Sequence, residues 1–127
     1  MKVYALKEWA AVVELLGQGK SHVILRKGGI AEDGGEFLPL HGRFILYPTA
    51  YHQNKELVRK EFSFEIPPAN QGNVQIKYWA YLVDKQMINT IESLQRIRDL
   101  HVYADEVVNE RFHRGDSGVW ALLVRVC

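Results

Sequence analysis

Arg26 and Lys27 close the apolar run Val23-Ile24-Leu25 and are followed at once by Gly28 and Gly29. Such a run reads as a buried strand, and paired glycines mark a turn. Two cations therefore stand where a sheet gives way to a loop, a usual place for binding groups. A guanidinium fork matches the geometry of a phosphate, and glycines let the backbone approach a ligand closely. The chemistry on offer is contact with an anion or a nucleic acid. The alternative is a solvated strand end with a tight turn.

A second set runs from His41 to Gln53 and carries His41, Arg43, Tyr47, His52 and Gln53 around the apolar stretch Phe44-Ile45-Leu46. Tyrosine and histidine rings offer flat faces to a base, and a glutamine amide reads base edges. The competing reading is a corner whose Thr49 and His52 satisfy local backbone groups. A third set, Glu110-Arg111-Phe112-His113-Arg114, suits a helix end, where cations meet terminal carbonyls. Arg111 joins Arg26, Lys27 and Arg43 as a candidate phosphate contact. Trp9, Trp79 and Trp120 read as core anchors.

Other chemistries find thinner support. The histidines at 22, 41, 52, 101 and 113 form no short pair of the kind that holds zinc or iron. Gln75-Ile76-Lys77 has an amide where a metal-dependent nuclease strand carries a carboxylate. Glu56, Glu61 and Glu65 make no compact acidic helix face of the Nudix kind. Neither a Ser-His-Asp nor a Cys-His set is in view. No catalytic residue, metal ligand or cofactor is therefore assigned. A metal-dependent nuclease or nucleotide hydrolase, with His41 and His52 as acid–base groups, stands as one alternative. A protein-interaction module that works with a partner nuclease stands as another.

The chain has 127 residues, enough for one domain spanning residues 1–127. Hydrophobic residues make up 47% and charged residues 24%, an ordinary globular balance. Formal net charge is +1, from 16 Lys plus Arg against 15 Asp plus Glu. That argues against an all-over polyanion binder and leaves room for a local basic patch. Cys127 is the single cysteine, so no disulfide framework forms within one chain. A cytoplasmic location fits, with no membrane span expected. The ending inside Val119 to Cys127 suggests either a trimmed domain or a final strand.

The elements that must position these groups follow from periodicity. Met1 to Leu6 reads as a strand. Lys7 to Leu16 places Trp9, Val12, Val13 and Leu16 at helical spacing, stopped by Gly17 and Gly19. Strands are expected at Ser21 to Arg26, Arg43 to Tyr47, Phe62 to Ile66, Val74 to Val83 and Val119 to Cys127. Asn89 with Glu92 reads as a capping box. It opens a helix with Ile91, Leu94, Ile97 and Leu100 on one stripe, and Asp105 reads as the cap of another. Ala31 to Leu40 and Pro67 to Asn73 read as loops. The sum is an α+β domain: a small curled mixed sheet or a β-barrel with flanking helices.

Four segments together resemble a bacterial family, domain of unknown function 1802. They are Ala5-Leu6-Lys7-Glu8-Trp9-Ala10, Leu25-Arg26-Lys27-Gly28-Gly29-Ile30, Tyr47-Pro48-Thr49 with His52-Gln53, and Arg111-Phe112. The resemblance covers nearly the whole chain and implies a loose link to restriction–modification systems. At the level of fold, the segment from Lys7 to Arg26 is similar to the opening of ASCH domains of the PUA-like superfamily. Gly19 and Arg26 match the ASCH motif, while Ser21 and Ile24 stand where it has lysine and glutamate. That resemblance implies a small PUA-like barrel whose relatives often bind RNA or modified nucleobases. RNA, DNA or a modified nucleotide is the expected partner.

Overall fold

The computed structural model describes residues 3–27, 40–49, 57–65 and 75–127. In chain order these form β1 (Tyr4–Trp9), α1 (Ala10–Gly17), β2 (Val23–Arg26), β3 (Arg43–Thr49), β4 (Trp79–Ile88), α2 (Ile91–Arg96), α3 (Asp105–His113) and β5 (Val119–Val126). Short 3-10 turns occupy Lys60–Glu65 and Arg98–Leu100. One five-stranded sheet has the order β1-β3-β4-β5-β2. β1 lies parallel to β3, and the other pairings are antiparallel. The architecture is α+β with a mixed sheet that does not close into a barrel. No helix among the described residues is long and apolar enough to cross a membrane.

Period-two patterning explains β1: Leu6 and Glu8 are buried while Ala5 and Lys7 are exposed. The run Ala-Ala-Val-Val-Glu-Leu-Leu then turns helical and buries Val12, Val13, Leu15 and Leu16. Each such side chain contributes roughly 1.5–3 kcal/mol of hydrophobic stabilisation. The helix ends in a Schellman turn. Lys20 N–H donates to Leu15 O (2.9 Å) and Gly19 N–H to Leu16 O (3.1 Å), with Gly19 at φ 78. These side chains join Phe44, Leu46, Leu82, Leu122 and Val124 in one core cluster.

Several boundaries differ from expectation for physical reasons. Trp9 ends β1, opposite Thr49, instead of opening the helix, because parallel pairing with β3 outweighs local propensity. The expected strand from Phe62 is a 3-10 turn at Lys60–Glu65, whose Ser63 hydroxyl donates to Lys60 O (2.8 Å). That local side-chain bond competes with ladder pairing. α2 is capped by Thr90, whose hydroxyl oxygen accepts the Ser93 N–H, rather than by Asn89. α2 then breaks into the 3-10 turn, which throws Leu100 out to 40% exposure. β4 runs on to Ile88 through an irregularity in register between Leu82 and Asp84, a β-bulge at Val83. The loops expected at Ala31 to Leu40 and Pro67 to Asn73 lie almost wholly outside the described residues.

Gly118, just before β5, is the tightest backbone position. Its φ is +129, and an added Cβ would sit 3.1 Å from Asn89 Oδ1 and 3.2 Å from Ile88 O. Gly118→Ala is expected to destabilise the fold by about 1–2 kcal/mol, from left-handed strain and crowding together. Urea unfolding followed by tryptophan fluorescence measures it, and an unchanged midpoint would contradict the crowding argument.

Candidate functional site

The two edge strands, β1 and β2, approach each other at their C-terminal ends. Side chains span the gap instead of a strand ladder. Arg26 Nη2 donates to Lys7 O (2.5 Å). The Tyr103 hydroxyl donates to Glu8 Oε2 (2.7 Å) and accepts the Leu25 N–H (3.4 Å). Arg111 Nη1 donates to Leu25 O (2.7 Å). Glu8 Oε1 accepts the Trp9 N–H (2.8 Å), and Thr49 Oγ1 donates to Glu8 O (3.2 Å). Edge groups that would otherwise invite a foreign strand are thus partly satisfied from within.

Tyr103 comes from the buried run His101-Val102-Tyr103-Ala104, which leads into α3. That run is held in place from residues 57–59. Val58 bridges Tyr103, Arg59 N–H donates to Val102 O (2.8 Å), and Ala104 N–H donates to Leu57 O (3.0 Å). The Arg59 guanidinium donates to His101 O (2.8 Å) and Tyr103 O (3.4 Å) and pairs with Glu61. Burial, reinforced by the Glu8 carboxylate, pushes the Tyr103 phenol well above its ordinary range, so it keeps its proton and donates. Burial, then the Arg59 cation, lowers His101 to about 4. The neutral ring accepts the Tyr103 N–H at Nδ1 (3.2 Å), which leaves the proton on Nε2.

Arg111, Arg26 and Lys27 converge on this seam. The Arg111 guanidinium carbon lies 4.4 Å from the Trp9 ring centroid and 4.9 Å from that of Tyr103, a double cation–π arrangement. Lys27 Nζ donates to Gly118 O (2.7 Å), Phe112 O (3.2 Å) and Asp116 O. All three cations are held by main-chain carbonyls, and none has a carboxylate partner among the described residues. Arg26 Nε is buried with no partner there. Nearby arginines differ: Arg98 pairs with Asp105 and Arg114 with Glu110. An open cleft of about 1220 Å³ adjoins the seam; its wall carries Trp9, Arg59, Lys60 and Arg111 together with the acids Glu61, Asp105, Glu106 and Glu110, and of the three seam cations Arg111 alone lines it.

The other expected site residues lie elsewhere. Arg43 and Tyr47 occupy outward-facing positions of β3, alternating with buried Phe44 and Leu46. Arg26 shares a sheet face with its partner Trp120, two pairs along from the buried Ile24 and Leu122. His41 is exposed in a turn at φ 63, and its N–H donates to Leu82 O (2.6 Å). His52 and Gln53 lie outside the described residues. The structure therefore gathers Arg26, Lys27 and Arg111 but does not bring Arg43 to them. Trp9 and Trp120 are half-buried, whereas Trp79 stands 38% exposed and is no core anchor. Glu8 and Tyr103 were not legible as site residues. The available signal was a carboxylate at the inward position two residues after Leu6. Among the described residues no three His, Cys, Asp or Glu gather as metal ligands.

Solved structures of ASCH from Zymomonas mobilis share this fold. One superposes with a TM-score of 0.63 at 15% identity, over 95% of this chain and 65% of that one. A tyrosine-to-phenylalanine mutant of it gives 0.60 at 14% identity, over 98% and 70%. A serine-to-alanine mutant gives 0.57 at 16% identity, over 95% and 66%. The chain thus spans about two thirds of the length of these structures, and identity this low speaks for the fold alone. No curated protein sequence matches the chain. Residues 5–127 match the family described as domain of unknown function (DUF1802), and the chain belongs to that family.

Proposed function

We propose that this chain is a non-catalytic domain that binds a nucleic acid or nucleotide in the cleft beside the β1–β2 seam. One observation carries the reading. Arg26, Lys27 and Arg111 are fixed in place by carbonyls, which orient a cation without cancelling its charge. Such a cluster raises local positive potential although the chain is nearly neutral. Phosphate is the chemistry it suits, through the guanidinium fork. Trp9 and the outer part of the cleft offer a flat wall for a base. Likeness to ASCH structures supports the reading at the level of fold. A bacterial cytoplasm, beside the nuclease of a restriction–modification system, is the setting this reading favours.

The test is salt dependence. Anisotropy of a labelled oligonucleotide gives the slope of log affinity against log salt. Arg26→Gln keeps a polar side chain at the strand end but carries no charge. Its slope is expected to shrink by about 0.7–0.9, the loss of one phosphate contact. An unchanged slope, or no binding at low salt, overturns the assignment.

A further inference from the structure

A second surface stands apart from the cleft. Cross-strand partners share one face of a sheet, and the register lines up Ala5, Ile45 and Trp79 in one row. Arg43, Tyr81 and Arg125 form the next row. Along each strand these residues alternate with buried Phe44, Leu82 and Val124. They make up the outer face, away from the positions that carry Glu8 and Arg26. Large apolar groups are open there: Trp79 is 38% exposed, Tyr81 36% and Leu123 37%.

From this face we infer a binding track for single-stranded nucleic acid. The Arg43 guanidinium carbon lies 4.9 Å from the Trp79 ring centroid, which makes a flat cationic platform. Arg125 is exposed directly opposite Tyr81. Neither arginine has a carboxylate partner among the described residues. The acid of this region, Asp84, already accepts from Lys85 N–H (2.9 Å) and Gln86 Nε2 (3.3 Å). Trp79 and Tyr81 are two residues apart on one strand, hence about 6.8 Å apart by strand rise. That is about twice the ~3.4 Å step of a stacked duplex strand. Such spacing suits bases splayed onto separate rings, with phosphates left to the arginines. A second copy of the chain fits less well, because an isologous contact would press two copies of the same arginine-bearing patch together.

The inference does not rest on the cleft. A labelled oligouridine and a matched duplex are titrated against the wild type, Tyr81→Ala, Tyr81→Phe, Arg125→Gln and the cleft variant Arg26→Gln. The side chains at 81 and 125 point outward, and a thermal melt confirms folding. Tyr81→Ala is expected to weaken the single strand by roughly tenfold or more. Tyr81→Phe should retain affinity, Arg125→Gln should reduce the salt slope by about 0.7, and the duplex should bind more weakly. If Tyr81→Ala binds like the wild type, the track is refuted whatever Arg26→Gln does. Equal affinity for the duplex in the Arg26→Gln background refutes it too. So does a Tyr81-dependent affinity for polyglutamate that exceeds that for the strand, since the face would then suit an acidic protein.

Discussion

Tyr103→Phe is expected to cost about 3 kcal/mol of stability, a large loss for the removal of one oxygen. The phenol sits where the two sheet edges come together. It donates to Glu8 Oε2 at 2.7 Å and accepts from Leu25 N–H at 3.4 Å. Phenylalanine keeps the ring, its volume and its contact with the Arg111 guanidinium, so no cavity opens. What it loses is the partner of two groups on buried residues, Glu8 and Leu25. An orphaned buried polar group costs about 1–3 kcal/mol, and more when it is charged. The carboxylate dominates, because the Leu25 bond is long. Glu8→Gln should cost less, about 1 kcal/mol, since an amide oxygen still accepts from the phenol while the amide nitrogen faces the Trp9 N–H. Guanidinium unfolding at neutral pH checks both variants. A loss below 1 kcal/mol in Tyr103→Phe would mean that the seam is held by packing rather than by this oxygen.

The frame of this fold was open to sequence reasoning because it rests on periodicity. Alternation in Arg43-Phe44-Ile45-Leu46-Tyr47 and the continuous apolar run from Val119 define strands without reference to neighbours. The Gly17 and Gly19 stop is a local backbone property, and it appears as a Schellman turn. The readings that failed turned on bonds that periodicity does not show, one local and the others distant. Phe62 alternates with Ser63 as a strand would, yet the segment forms a 3-10 turn, its Ser63 hydroxyl bonded to Lys60 O. Arg26 and Lys27 were legible as cations at a strand end. That they rest on carbonyls from β1, α3 and the turn before β5 could not be read, because those contacts span between 19 and 91 residues of chain. Arg43 looked like a companion of Arg26 by type alone. Strand parity separates them, and parity across a sheet needs register, which one-dimensional spacing does not supply. Glu8 and Tyr103 lie 95 residues apart, so nothing in either neighbourhood announces the pair.

Lowering the pH from 7 to 4 should weaken the fold through His101, by about 3 kcal/mol. Its imidazole is held at about 4 in the folded protein, against about 6.5 in an unfolded chain. Burial is the main cause, and the Arg59 guanidinium, which donates to the His101 carbonyl, adds repulsion. The unfolded state therefore binds the proton first as pH falls, so stability drops with pH across the window from about 6.5 to 4. Above that window the contribution is intact. The loss also acts through structure: a protonated ring no longer accepts the Tyr103 N–H at Nδ1, and Tyr103 carries the seam. Asp105 titrates lower, held down by Arg98 on an exposed surface, and its share is small. His101→Asn isolates the imidazole, since its Oδ1 stands where Nδ1 does and can take the same N–H without titrating. The stability profile of that variant between pH 7 and 4 should be flatter than the wild type by about the same 3 kcal/mol. In an NMR titration, a His101 midpoint near 6.5, or identical pH profiles for the two proteins, would show that this ring is not the acid-labile element of the fold.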